Sequence, residues 1–242
     1  MKRITGTISW LSLLLFMCIL VFGLYLRIGA ATGTVVINPL RADAGNYFTY
    51  SYNLRYKYTY SREIGNMQDL NSSVRPDSHR SPGYPLFLVL FLDGLSFNSF
   101  VHKVVIAQAV LSTLTILMAF LLFKGFLPRA WALAASLLVA MSPQLIIPNS
   151  FVITETLFCF LLVAVACMMS LFASKPSAIL ALLTGILVGL ASLVRPILEY
   201  LPFLLGLWFL AEYRRRGGLR YGLAVCFGFF LVFFPWMLRN AI

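Results

Sequence analysis

Residues 84–92, YPLFLVLFL, decide the fold of this chain. They form an apolar stretch between Gly83 and Asp93, and they follow a long polar segment. A transmembrane helix needs about 20 consecutive apolar residues, so this stretch is too short to cross a bilayer. We interpret it as a helix that lies in the membrane interface. The direction of every later helix depends on this choice, because a crossing here would invert them all.

The distribution of Lys and Arg supports this interpretation. Seven longer apolar segments are present, at 8–26, 104–123, 130–147, 151–173, 177–194, 197–211 and 219–236. If these seven cross the membrane and the N-terminus is cytoplasmic, the short outer loops contain only Arg195 and Arg239. The short inner loops then contain Lys2, Arg3, Lys124, Arg129, Lys175, Arg214, Arg215, Arg216 and Arg220. A crossing at 84–92 would instead leave five basic residues inside and seven outside. Because cytoplasmic loops carry the excess of Lys and Arg, the charges predict seven transmembrane helices and a long outer loop, residues 29–103.

The composition indicates the same class of protein. Of the 242 residues, 60% are hydrophobic and 11% are charged, and the mean hydropathy is +0.88. A soluble domain of this length could not bury so much apolar surface, so the sequence predicts an all-α integral membrane protein. The net charge of +11 does not indicate nucleic-acid binding, because the 19 Lys and Arg residues are scattered between apolar segments.

The predicted topology also sorts the acidic residues. Of the eight, five lie in the outer loop, and Glu155 and Glu199 lie at the outer ends of helices. Only Glu212 faces the cytoplasm. An ionisable group at a membrane-embedded helix end is costly unless it is paired or functional. The sequence therefore places the polar chemistry of the protein on its outer face.

One of these acids, Asp43, stands in the segment RADAGNYFTYSYNLRY, residues 41–56. It can cap a helix that begins at Ala44, since its side chain can accept hydrogen bonds from the amides of the first turn. It can also act as a catalytic base at the membrane surface. The tyrosines that follow, Tyr47 among them, can form an aromatic belt at the headgroups or stack on sugar rings. The residues alone leave these alternatives open.

Five motifs occur in an order that is typical of one enzyme family: RADAGNY (41–47), RSPGYPLFL (80–88), SFVITETLF (150–158), LVRPILEYLP (193–202) and PWMLRN (235–240). Together they resemble bacterial GT-C glycosyltransferases related to the protein O-mannosyltransferases and to the aminoarabinose transferases of lipid A. The resemblance covers residues 1–242 as a single GT-C-like transmembrane module, and it corresponds to the N-terminal half of such enzymes. It therefore implies a separate C-terminal half as a partner.

The resemblance also implies a reaction and a set of site residues. Such enzymes transfer a hexose or pentose from a polyprenyl-phosphate donor to a lipid, glycan or protein acceptor, with inversion. They act at the periplasmic or extracellular face of the bacterial plasma membrane. On the positions that match, Asp43 is the catalytic base of the first outer loop and Glu155 is a second catalytic acid. The implied substrate-binding residues are Arg80, Tyr84, Arg195, Arg239 and Tyr47.

These roles agree with the chemistry of sugar transfer, which needs a base near the acceptor hydroxyl and positive charge near the leaving phosphate. Arginine suits the second task because its planar fork pairs with phosphate oxygens. Arg195 and Arg239 can instead be interface anchors, and Glu155 can be the ion-pair partner of Arg195. Several relatives carry an acid and a lysine where this chain has His79-Arg80-Ser81. No cofactor is therefore certain, and a role for a divalent metal is in doubt.

Two other functions fit parts of the sequence. The chain can be a catalytically inactive or truncated GT-C-like scaffold. A transporter is the second alternative, but transporters carry charged residues at mid-membrane and helices that are broken at corresponding positions. The charges of this chain cluster at helix ends instead, so transport fits less well.

The predicted topology can be tested by labelling single cysteines in intact cells, in a background without the native cysteines. We expect an impermeant reagent to label a cysteine at position 66, in the outer loop, and not one at position 216. The physical reason is the excess of inner Lys and Arg, which fixes the orientation of the helices. Labelling at 216 but not at 66 would contradict both the topology and an outer site.

Overall fold

The computed structural model describes residues 10–40, 42–65, 69, 72–93 and 96–241, and every regular element in these ranges is helical. The α-helices are α1 (Trp10–Gly33), α2 (Asp43–Lys57), α3 (Gly83–Val89), α4 (Phe97–Lys124), α5 (Arg129–Met141), α6 (Pro143–Ile146), α7 (Glu155–Ser174), α8 (Ala178–Val194), α9 (Leu201–Glu212) and α10 (Gly218–Ala241). Short 3₁₀ helices follow α6, at Ile147–Ser150, and α8, at Pro196–Leu198.

A helix lies at each of the seven predicted transmembrane positions. Among the described residues, α1, α4, α7 and α10 are long and apolar enough to cross a membrane, and α5 with Pro143–Ser150 makes a fifth span if this bent pair counts as one. Helix α8 has 17 residues and α9 has 12. The all-α membrane class is confirmed, whereas the number of crossings remains a prediction. Helix α3, with seven residues, is too short to cross, as residues 84–92 predicted.

Contacts at the two ends of the bundle show how the helices run. Glu155 at the start of α7 pairs with Arg195, which directly follows α8. We call this end of the bundle the site end. At the opposite end, Phe172 near the end of α7 packs on Phe209 near the end of α9, with ring centroids 4.4 Å apart. Helix α9 therefore runs from the site end to the opposite end.

Helix α10 returns to the site end, parallel to α8. Val225 packs in one buried cluster with Ala181, near the start of α8. Phe233 packs in another with Leu193, near the end of α8. Consequently Arg239, in the last turn of α10, reaches the end of the bundle that holds Glu155 and Arg195.

Glycines allow α8 and α10 to approach backbone to backbone. A Cβ atom at Gly185 would lie 2.0 Å from the carbonyl oxygen of Val225, and one at Gly228 would lie 2.2 Å from that of Leu182. Small residues at helix contacts are typical of membrane proteins, where close packing replaces the hydrophobic driving force between helices. The close packing of the two helices therefore requires glycine at both positions.

A buried arginine compensates for the break between α5 and α6. Arg27 lies inside α1, is fully buried, and donates from Nη1 to the carbonyl of Ala140 (2.8 Å) and from Nη2 to that of Val139 (3.2 Å). Pro143 has no amide proton to donate to the Val139 carbonyl, which accepts instead from the Ser142 amide at 3.4 Å. Arg27 supplies further donors at this break, and its Nε also donates to Ser112 (2.7 Å).

Helix α2 begins at Asp43, with Ala42 at the N-cap position and without a side-chain cap. The prediction that Asp43 caps a helix starting at Ala44 is therefore wrong. The Asp43 carboxylate pairs with Arg80 instead, because a guanidinium is a stronger, charged donor than a backbone amide. The backbone of Ala42 has φ 55° and ψ −125°, an unfavourable conformation for a residue with a side chain.

The start of α3 lies directly on the end of α8. A Cβ atom at Gly83 would lie 2.6 Å from the carbonyl carbon of Leu193 and 2.8 Å from the amide nitrogen of Val194. Those atoms are backbone and cannot rotate away, so this position requires glycine. The contact holds the end of the loop that contains Arg80 next to the end of α8. Arg195 directly follows α8, so the two arginines come close to the same joint.

Replacing Gly83 by alanine should therefore strain the joint between α3 and α8. We expect Gly83→Ala to lower the free energy of unfolding by about 1–3 kcal/mol, the usual cost of overpacking. The measurement is the thermal unfolding midpoint in detergent. Gly29→Ala is the matched control, because a Cβ at Gly29 in α1 meets nothing within 4 Å. Equal midpoints for the two variants would show that α3 does not rest on α8 as described.

Candidate active site

A cluster of buried apolar residues supports the candidate site. It contains Ala44, Val152 and Val194, which stand within three residues of the two candidate acids and of Arg195. Tyr84 and Leu88 of α3 belong to the same cluster, each with no exposed surface. Segments that are far apart in the sequence therefore bring their charged residues to one surface at the site end.

Asp43 and Arg80 form the first ion pair of this surface. The aspartate side chain is 54% exposed and the arginine side chain 31% exposed, so the pair is open to solvent on one side. The guanidinium of Arg80 also lies over the ring of Tyr47, 5.9 Å from its centroid. Asp43, Arg80 and Tyr47, three residues predicted to share a site, are in contact.

Glu155 and Arg195 form the second ion pair, and both side chains are 41% exposed. Glu155 is the first residue of α7 and Arg195 directly follows α8, so each charge complements the dipole of its own helix. Arg195 also donates from Nε to the hydroxyl of Thr154 (2.8 Å) and lies over the ring of Phe158. The sequence left Glu155 open as a catalytic acid or as the partner of Arg195, and the structure shows the pairing.

Tyr47 is influenced by the charges of both ion pairs. Burial raises the pKa of its hydroxyl, and the charges of all four paired side chains act on the same group. Its ring packs edge-on against Tyr84, with centroids 5.2 Å apart. The two pairs therefore belong to one electrostatic neighbourhood rather than to separate surfaces.

Tyr84 supports the site from the interior of the helix bundle. It is fully buried, which raises the pKa of its hydroxyl well above the usual value. The hydroxyl donates to Oε1 of Gln108 in α4 (2.6 Å), and Nε2 of Gln108 donates to the carbonyl of Phe151 (2.7 Å). Gln108 thus connects α3 to the segment that leads into Glu155. The sequence analysis missed Gln108, although a glutamine within an apolar helix is a signal that could have been noticed.

Arg239 occupies a different position from the other candidate arginines. Its Nη1 donates to the backbone carbonyl of Asp77 (2.6 Å) and its Nη2 to that of Tyr60 (3.1 Å). The guanidinium lies over the rings of Tyr60 and Trp236, 5.5 and 5.4 Å from their centroids. Arg239 contacts the loop that precedes Arg80, and a direct role in substrate binding remains a prediction for it, as for Tyr84.

Asp77 is a second residue that the sequence analysis missed. Its carboxylate accepts hydrogen bonds from the Tyr50 hydroxyl, from the amide of Arg62 (2.8 Å) and from the amide of His79 (3.1 Å). Partial burial opposes its ionisation, but these donors hold the pKa of Asp77 below its usual range. No sequence signal separates this aspartate from the others in a polar loop.

The described residues contain no group of three or more His, Cys, Asp or Glu side chains that could hold a metal ion. The two candidate acids each face an arginine rather than a further acid. The site therefore offers paired carboxylates and guanidinium groups.

Comparison with known protein families gives a match. A sequence profile of the family described as dolichyl-phosphate-mannose-protein mannosyltransferase matches residues 79–238. The matched range contains Arg80, Glu155 and Arg195, whereas Asp43 and Arg239 lie outside it. No curated protein and no solved structure matches the chain. The matched range covers more than half of the sequence, and the chain therefore belongs to the dolichyl-phosphate-mannose-protein mannosyltransferase family, as a multi-pass membrane glycosyltransferase of the GT-C type.

Proposed function

We propose that the protein transfers a sugar from a polyprenyl-phosphate donor to an acceptor hydroxyl, with inversion, and that Asp43 is the base. The family description names a lipid-linked sugar as donor, and the arginines of the site have the chemistry that a lipid phosphate requires. Arg80 and Arg195 bind the phosphate, and Tyr47 packs against the sugar between them. The acceptor is a lipid, a glycan or a protein.

In the proposed reaction, Asp43 accepts the proton of the acceptor hydroxyl as its oxygen attacks the anomeric carbon. A new carbon–oxygen bond forms on one face of the sugar. The bond to the phosphate oxygen breaks on the other face, and the lipid phosphate leaves with the electron pair. Guanidinium groups stabilise the charge that develops on that oxygen. A positioned base contributes about 10²–10⁴ in rate, which is the share that we assign to Asp43.

The observation that carries the proposal is that each candidate acid pairs with a candidate phosphate-binding arginine, and that the arginine of the first pair lies over the ring of Tyr47. Arginine binds phosphate through the same planar fork that it offers a carboxylate. A phosphate that arrives at Arg80 can therefore take the place of the Asp43 carboxylate. Asp43 is then free to accept a proton at the moment when the donor is bound.

The proposed site faces the periplasm or the cell exterior, in a bacterial plasma membrane with the N-terminus in the cytoplasm. The support is the unequal distribution of Lys and Arg, together with the position of the paired charges at helix ends. Nucleotide sugars are cytoplasmic, so a reaction on the outer face requires a donor that has already crossed the membrane on a lipid. This arrangement suits glycosylation of the cell envelope. Glu155, held by Arg195, serves as the second acid of the site.

Replacing Asp43 by asparagine tests the base directly. The amide keeps the size and the oxygen acceptor that faces Arg80, but it no longer accepts a proton. We expect expression and membrane insertion to stay near normal and sugar transfer to fall by about 10²–10⁴. The assay measures transfer of radiolabelled sugar from polyprenyl-phosphate mannose, and then from other polyprenyl-phosphate sugars, in isolated membranes. Any separately encoded C-terminal half is co-expressed.

The matched control for this test is Asp93→Asn, because Asp93 also forms a half-exposed ion pair, with Lys103, in the same predicted outer loop. We expect this variant to keep its activity. Full transfer by Asp43→Asn would refute the base. Wild-type membranes that transfer no sugar from any of these donors would favour the alternative of an inactive scaffold.

Removing the arginines tests donor binding separately from catalysis. We expect Arg80→Ala and Arg195→Ala to weaken retention of polyprenyl phosphate in native mass spectrometry, and the double variant to lose it, because charge-assisted hydrogen bonds to phosphate disappear. Arg220→Ala at the opposite end of the bundle is the control and should retain the lipid. Unchanged retention in the double variant would show that both arginines are interface anchors.

A further inference from the structure

We propose that Arg239 is a positioning residue, which fixes the loop of residues 58–82 so that Arg80 stays beside Asp43. The inference rests on the proposed function for its catalytic meaning, but its structural content is independent. In this role Arg239 acts through backbone carbonyls of the loop and makes no contact with substrate.

The contacts of Arg239 are those of a structural clamp. Its two terminal nitrogens donate to carbonyls at opposite sides of the loop, at Tyr60 (3.1 Å) and at Asp77 (2.6 Å). Only arginine has a planar fork that can hold two separate acceptors in a fixed geometry. The same guanidinium lies against the rings of Tyr60 and Trp236, which restricts its rotation. Arg239 thus joins the last turn of α10 to both sides of the loop.

Tyr60 extends this clamp to Arg80. Its ring stacks on Tyr50 of α2, with centroids 4.3 Å apart, and packs edge-on against Trp236 of α10 at 5.1 Å. Its hydroxyl donates to the backbone carbonyl of Arg80 (2.9 Å). Tyr60 therefore connects Arg239 to Arg80, and it is 8% exposed.

Asp77 makes hydrogen bonds that join the two sides of the loop to each other. Its amide donates to the carbonyl of Tyr60 (3.1 Å), and its carboxylate accepts from the amides of Arg62 (2.8 Å) and His79 (3.1 Å). The residues of the loop that the structure describes have no α-helix or strand, so these bonds hold the loop where regular structure does not. Losing the clamp at Arg239 should therefore loosen this stretch while the helices stay folded.

The competing role for Arg239 is direct phosphate binding. The two roles make different demands on the side chain. A phosphate ligand depends mainly on positive charge, so lysine should substitute in part. A clamp that spans two carbonyls depends on the fork, so lysine should fail even though it keeps the charge.

Hydrogen–deuterium exchange of the purified protein separates the two roles without any sugar transfer. In Arg239→Ala and in Arg239→Lys we expect the amides of Arg62, Asp77 and His79 to exchange faster, by about tenfold or more, while peptides of α4 and α7 are unchanged. Arg220→Ala, which removes an exposed arginine from the other end of α10, is the matched control and should exchange like the wild type.

Kinetics then connect the clamp to the site. A misplaced Arg80 weakens the donor complex and its alignment together, so we expect both Arg239 variants to lower kcat and to raise KM for the donor. Unchanged exchange in Arg239→Ala would overturn the proposal, and lost donor retention with normal exchange would identify a phosphate ligand. Restoration of wild-type exchange by Arg239→Lys would also overturn it. A failure of the Asp43 base leaves the exchange result unaffected, so the two proposals fail independently.

Discussion

The hydrocarbon of a bilayer cannot solvate an ionised or unpaired polar group, and the rest of the structure follows from this constraint. The ion pairs seen among the described residues lie in loops or within the first two turns or the ends of helices. The one charged side chain that is fully buried, within the same residues, is Arg27. It donates to carbonyls in the last turn of α5, beside the break before α6. The two ion pairs of the candidate site therefore lie at the site end, where water and lipid headgroups can balance their charges.

The two ion pairs of the site contribute little to stability. A phosphate can therefore replace the carboxylate as the partner of an arginine at little cost. Half-exposed salt bridges are worth about 0–1 kcal/mol, because solvent competes with both partners. An arginine held so weakly can leave its carboxylate for a phosphate, which is the change that the proposed reaction requires at Arg80. The rigid part of the site lies beneath, where Tyr84 and Gln108 bond in the interior and Gly83 rests on the backbone of α8.

The described parts of the loop, residues 58–65, 69 and 72–82, show how irregular backbone is held at a membrane protein's polar end. Long loops without regular structure are uncommon in compact domains and are usually functional. Here the backbone carbonyls of Tyr60 and Asp77 accept from Arg239, and the Asp77 carboxylate accepts from loop amides. The loop is thereby attached to α10, the helix that is most distant from it in the sequence. A chain that ended before α10 would lack this attachment.

The sequence by itself determined the all-α membrane class and the seven apolar segments, and its motifs predicted that Asp43, Arg80, Glu155 and Arg195 share a site. Hydropathy and charge are local properties, and each segment carries its own. The tertiary structure alone decided the partners: Asp43 pairs with Arg80 instead of capping α2, and Arg239 holds a loop. It also decided the roles of the buried Arg27 and Gln108 and of the partly buried Asp77, which look like ordinary polar residues in sequence. Their roles depend on carbonyls and amides brought close by packing between segments up to 162 residues apart, and no local pattern encodes such a contact.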